Sequence, residues 1–77
     1  VDTIKLQAFR TVAELKSFSE AARQLNYTQP AISAQIRELE NELNVPLFKK
    51  NGKKVELSEA GRTLLPFAER LLRNFEN

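Results

Sequence analysis

Apolar residues recur along this chain at two different periods, and the change of period marks its elements. Leu6, Phe9, Val12 and Ala13 follow helical spacing within residues 3–16, with Asp2 or Thr3 available as N-cap. A second helix is predicted from Ser17, where Ser17-Phe18-Ser19-Glu20 forms a capping box, to Leu25. Its inner face is Phe18, Ala21, Ala22 and Leu25, and the alanine pair lets another helix approach closely. Asn26-Tyr27-Thr28 makes a short turn, with Asn26 suited to a left-handed C-cap. The third helix starts around Thr28 or Gln29, since proline is tolerated in a first turn, and runs to about Leu43. Ile32, Ile36, Leu39 and Leu43 fall within an arc of roughly 60° on that helix and face the core.

The period changes between Val45 and Ser58. Asn51-Gly52 between two lysines is a strong hairpin signal, because a type I′ turn needs positive φ at both central residues. Strands of about 46–50 and 53–57 follow, with Leu47, Val55 and Leu57 as inner-face candidates and Pro46 at a strand start or edge. Ser58 reads as the N-cap of a last helix. From Leu64 onward Leu64, Leu65, Phe67, Ala68, Leu71, Leu72 and Phe75 occupy about 160° of its wheel. Pro66 lies inside that pattern and removes the bond to the Arg62 carbonyl, which predicts a local kink. The fold expected is mainly α: a winged helix-turn-helix, with a three-helix core and a two-stranded β wing, followed by a long C-terminal helix. Residues 1–58 form the winged unit, with the helix-turn-helix at about 18–37 and the wing at about 46–57. Residues 59–77 form a linker or dimerisation helix.

Composition narrows the chemistry. The 77 residues include no cysteine and no histidine, so no disulfide framework, thiolate metal site or imidazole base is available. Neither a metal nor a cofactor is expected, and Glu40 has no histidine or cysteine near it to make a metal site. An enzyme has no constellation behind it. No apolar run approaches the ~20 residues of a membrane span, and no membrane role is expected. The net charge of +2 is modest, but its distribution is uneven: residues 44–57 carry a local +3 from Lys49, Lys50, Lys53, Lys54 and Glu56. Localised charge reads as a contact surface.

Two helices joined by a three-residue turn, then a basic hairpin, suit double-stranded DNA. A helix of about 10–12 Å diameter fits the major groove. The first half of the third helix is free of acidic residues, and Glu38, Glu40 and Glu42 all lie in its second half. Gln29 can pair bidentately with adenine, Pro30 and Ala34 can meet thymine methyls, Ser33 can donate or accept, and Arg37 can reach guanine or a phosphate. The lysine-tipped wing, Lys50, Lys53 and Lys54 included, can meet phosphates or a minor groove. Taken singly these residues have plainer readings: edge lysines also prevent aggregation, and Arg37 could pair with glutamates of its own helix.

Ser17-Phe18-Ser19-Glu20-Ala21-Ala22, Leu25, Thr28-Gln29-Pro30-Ala31-Ile32-Ser33, Gln35-Ile36 and Leu39-Glu40 together resemble the LysR-type transcriptional regulators. Leu47-Phe48 and Leu57-Ser58-Glu59-Ala60-Gly61 continue the match, so that the resemblance covers essentially the whole chain. It implies the N-terminal DNA-binding domain of a bacterial cytoplasmic regulator acting at the nucleoid. Gln29, Pro30, Ser33 and Ala34 resemble the family's groove-reading positions, flanked by Thr28 and Arg37. The wing positions often filled by arginine are Lys50 and Lys53 here, which keep the attraction to phosphate without the planar fork. Position 34, often a long polar residue in relatives, is alanine, which suits methyl contact. The resemblance also implies an antiparallel homodimer through the last helix, with Leu64, Ala68, Leu71, Leu72 and Phe75 as its dimerisation residues. A small-molecule effector would act only through a domain absent from this chain. The competing reading is a protein-interaction module that docks through the same last helix.

Overall fold

The computed structural model describes residues 2–76. Its order is α1 (Thr3–Leu15), α2 (Phe18–Leu25), α3 (Gln29–Leu43), β1 (Phe48–Asn51), β2 (Lys54–Leu57) and α4 (Glu59–Glu76). This is the winged helix-turn-helix with a long last helix that the patterning predicts. Residues 1 and 77 of the expected domain bounds lie outside the described residues.

Each helix begins where a short polar side chain can accept an orphan amide. Asp2 accepts from the Lys5 amide at 2.9 Å, Ser17 from Glu20 at 3.1 Å, Thr28 from Ala31 at 3.2 Å and Ser58 from Gly61 at 3.0 Å. The first three helices end on residues in the left-handed region: Lys16 (φ 55°), Asn26 (φ 62°) and Asn44 (φ 57°). Asn26 takes the role expected of it. Lys16 terminates α1 one residue before its expected end.

The core is built from Leu6, Phe9 and Val12 of α1, Ala21 and Ala22 of α2, Ile32, Ile36 and Leu39 of α3, Leu47, and Ala68 and Leu72 of α4. Small side chains at 21 and 22 bring α2 against both α1 and α3. Leu43, expected on the buried seam of α3, is 39% exposed, because it sits in the last turn beyond the helices that cover that seam. Helix α4 runs unbroken through Pro66 and packs on α1. It divides the expected dimerisation set. Ala68 and Leu72 have no exposed surface in the single chain and belong to its core, while Leu71 and Phe75 remain exposed and Leu64 is half-buried. The inner edge of the apolar arc of about 160° closes the core, and its outer edge stays exposed.

The wing differs from expectation by its register. The strands run 48–51 and 54–57, antiparallel, pairing Phe48 with Leu57, Lys49 with Glu56, Lys50 with Val55 and Asn51 with Lys54. The two-residue loop is therefore Gly52-Lys53, and Gly52 alone in it has positive φ (68°), so the Asn51-Gly52 type I′ turn does not form. The reason lies across the strands. An Asn51-Gly52 loop would set Lys50 opposite Lys53 and Lys49 opposite Lys54, two like-charge pairs. The observed register replaces them with Lys49 opposite Glu56. Strand β1 also begins later than expected. Pro46 has no amide to donate, and the Leu47 amide and carbonyl are bonded to Glu40 and Ser58 outside the ladder. Leu47 is buried ahead of the strand, and Phe48 joins Val55 and Leu57 as a half-buried wing residue. Its ring lies 5.5 Å from Phe9 and 5.7 Å from Phe18, centroid to centroid, anchoring the wing on α1 and α2.

Candidate nucleic-acid interface

A concave surface of about 590 Å³ opens between α3, the wing and the α1–α2 junction. Gln29, Ser33 and Arg37 supply one wall, following α3 at near-helical spacing of four residues. Lys49, Lys50 and Lys53 supply the facing wall from the wing. Lys16, Ser17 and Ser19 close one end. Residues 29 and 53 are far apart in sequence, and the turn at Asn26 together with the Phe48 anchor brings them to one face.

Gln29, at the head of the wall on α3, stands in the first turn, where the backbone amides point outward, a setting that favours anionic groups. Thr28 is exposed, and its hydroxyl is committed to capping the Ala31 amide. Gln29 and Pro30 are exposed in the first turn, and Ser33 and Ala34 are half-buried in the second. Arg37 is exposed, and among the described residues it forms no ion pair with glutamates of its own helix. Lys49, Lys50, Lys53 and Lys54 are likewise exposed and outside every ion pair among the described residues. Unpaired cations on one face are available to an anionic partner.

Of the expected contact residues, Gln29, Ser33, Arg37, Lys50 and Lys53 line the concavity together. Thr28, Pro30, Ala34 and Lys54 do not line it: Thr28, Pro30 and Lys54 are exposed beside it, and Ala34 is half-buried on α3. Sequence reasoning does not find Lys16, Ser17 and Ser19 as members of the surface, and counts Lys49 only as part of the local charge. No local pattern announces Lys16, whose place depends on the left-handed end of α1 meeting the wing. The capping role of Ser17 hides its second position at the groove edge.

One acidic side chain, Glu40, lines the surface as well. Its carboxylate accepts the Leu47 amide at 2.7 Å, a charge-assisted bond that turns the group toward the base of the wing. Away from the groove, Lys5 of α1 reaches Glu42 at 2.8 Å and Glu38 at 3.3 Å on α3. The hydrogen bond with Glu42 raises the Lys5 pKa, and the same bond holds the Glu42 carboxyl below its ordinary value. These two acidic residues of α3 are thereby engaged with α1, leaving the groove wall with its basic character.

Among the described residues no group of histidine, cysteine or carboxylate side chains could hold a metal ion, and no helix is long and apolar enough to cross a membrane.

Comparison with known proteins gives this geometry its setting. Residues 4–62 match the family described as bacterial regulatory helix-turn-helix protein, lysR family. The HTH-type transcriptional regulator of the ibpB-leuC intergenic region of Azotobacter vinelandii is 51% identical over 77 residues, all of this chain and 54% of that protein. The HTH-type transcriptional regulator CzcR of Bacillus subtilis is 44% identical over 71 residues, 92% of this chain and 25% of that protein. The chain thus spans about half the length of the first of these curated relatives and a quarter of the second. Among solved structures, the complex of the BenM DNA-binding domain with benA site 1 DNA matches with a TM-score of 0.93 at 33% identity, covering 99% of this chain and 85% of that one. The complex of the CbnR DNA-binding domain with DNA matches with a TM-score of 0.92, also at 33% identity, covering 99% and 87%. With the winged fold, the basic concave face and a family match across most of its length, this chain belongs to the LysR family of bacterial transcription regulators, and what it reproduces is that family's helix-turn-helix DNA-binding domain.

Proposed function

We propose that the chain reads a specific double-stranded DNA sequence, as a dimer on an inverted repeat, in the control of transcription on the bacterial nucleoid. The observation that carries this reading is the shared surface of Gln29, Ser33 and Arg37 with the wing lysines 49, 50 and 53. Helix α3 enters the major groove by its first half, where Gln29 addresses adenine, Pro30 and Ala34 meet thymine methyls, and Ser33 and Arg37 complete the contact. Thr28 flanks them at the helix start. The wing lysines, with Lys54 beside them, lie along phosphates and set affinity without choosing sequence. The relatives BenM and CbnR, whose domains were solved on DNA, support duplex DNA as the partner.

Residues 1–58 act in this reading as the DNA-contacting unit and 59–77 as the pairing helix. Phe67, Leu71 and Phe75, spaced four residues apart, form an exposed apolar stripe, 54%, 46% and 71% accessible. A stripe of that kind on so small a domain calls for a partner, and a second copy of the same helix supplies one. Two-fold symmetry in the protein is then mirrored in the operator, with half-sites one or more helical turns apart. The same stripe favours the competing reading, a protein-docking module, and the response to salt separates the two. Titrating a duplex at several salt concentrations should give a steep loss of affinity with salt. Lys53→Ala should weaken all sequences alike and flatten the slope by about 0.9 for each phosphate no longer neutralised. A salt-independent affinity, unchanged by Lys53→Ala, would point to the docking module instead.

A further inference from the structure

A carboxylate beside a phosphate-binding surface weakens binding by repulsion, yet Glu40 lines the groove between α3 and the wing lysines. Its bonding explains its presence. The connector from α3 to β1 has three backbone donors, Asn44, Val45 and Leu47, because Pro46 has none. All three go to Glu40: the Asn44 amide and, at 3.1 Å, the Val45 amide to its carbonyl, and the Leu47 amide to its carboxylate at 2.7 Å. The second root of the wing is tied to the same segment. Ser58 donates its amide to the Leu47 carbonyl at 2.9 Å and its hydroxyl to the Pro46 carbonyl at 2.7 Å. Both roots of the wing therefore hang on one residue of α3, placed about one helical turn beyond Arg37.

We propose that Glu40 is a positioning residue: its carboxylate locks the wing to α3 and so sets the offset between the bases that α3 reads and the phosphates that the wing lysines touch. This rests on the DNA-reading function above. Sequence choice by a two-part surface depends on that offset, since phosphate contacts fix the register in which the helix meets base edges. Phe48 on Phe9 and Phe18 and the buried Leu47 hold the wing to the core independently, so that the fold outlasts the loss of this bond while the offset does not.

Two variants separate reach from charge. Glu40→Gln keeps an acceptor oxygen at the right distance and removes the charge, whereas Glu40→Asp keeps the charge and falls one methylene short of the Leu47 amide. For each, the ratio of affinities for a selected duplex and a random one is measured, together with the hydroxyl-radical footprint of the wing and the melting temperature. The expected result is that Glu40→Gln binds both duplexes more tightly with the wild-type ratio and wing footprint. Glu40→Asp should lose roughly tenfold in the ratio, the size of one charge-assisted hydrogen bond, and should shift or lose the wing protections. Glu40→Asp retaining the ratio and the footprint, whatever its melting temperature, would overturn the inference, as would Glu40→Gln failing in the same way as Glu40→Asp. A wild-type chain that does not distinguish the two duplexes would overturn the DNA-reading function itself, and the inference with it.

Discussion

Gly61 shows how one side chain, or the lack of one, fixes the join between wing and last helix. A Cβ at this position would fall against the Leu47 carbonyl oxygen, closer than real Cβ contacts come, and 2.8 Å from Leu57 Cδ2. The oxygen is backbone and already accepts the Ser58 amide, so it has no room to yield. Gly61→Ala is expected to cost about 1–3 kcal/mol, the range for overpacking, read as a drop in the midpoint of urea unfolding; an unchanged midpoint would contradict the packing described. On the α3 wall, Gln29→Ala should leave the fold and the salt dependence intact and relax the preference at one base pair by about 1–3 kcal/mol. Equal losses on specific and random duplexes, measured by fluorescence anisotropy, would remove Gln29 from base reading. At this scale the sequence is most legible where the signal is local. Ser17, Thr28 and Ser58 cap the helices that follow them because the bonded amide lies three residues away. The bond from Glu40 to Leu47 and the approach of Gly61 to Leu47 depend on where the chain returns, and no short pattern reveals that.

Among the elements, the helices are plainly written in the sequence and the wing less so. Helical periodicity depends on one stretch of sequence, whereas hairpin register depends on what each residue meets across the pair. Asn51-Gly52 is locally the better turn, but it would oppose lysines to lysines, and the register with Lys49 opposite Glu56 and a half-buried Phe48 prevails. The packing of α1 on α3 also carries an electrostatic tie in Lys5, Glu38 and Glu42. The sign of its pH dependence follows from the shifts. Glu42, with its pKa lowered in the folded state from 4.5, stabilises fully above that value and loses its contribution as pH falls through the lowered one. Lys5, raised from 10.5, stabilises fully below that value and loses its contribution as pH rises through the raised one. Melting temperatures of the wild type and Glu42→Gln should therefore differ near neutral pH and converge as the solution becomes more acidic than an ordinary glutamate. A gap that stays constant through that range would assign the difference to something other than ionisation.

For the molecule as a whole, α4 is the element with two allegiances. Ala68 and Leu72 close the core, and Phe67, Leu71 and Phe75 project from it. The sequence shows the width of the apolar arc but not where the core ends within it, because that boundary is set by α1 packing on one side. The division makes a paired prediction. Leu71→Glu should give folded monomers by sedimentation, while Leu72→Glu should unfold the chain by placing a charge in the core; a dimer that survives Leu71→Glu would exclude this stripe as the pairing surface. Doubling the domain through α4 would present two basic grooves to one duplex, which joins the separate residues into a reader of paired half-sites. The measurement that bears most directly on this is selection of bound duplexes from a random pool at about 150 mM salt, where non-specific attraction is damped. Enrichment of an interrupted inverted repeat is the predicted result; no enrichment, with binding lost to salt, would contradict a sequence-reading function and leave the basic groove as a general electrostatic surface.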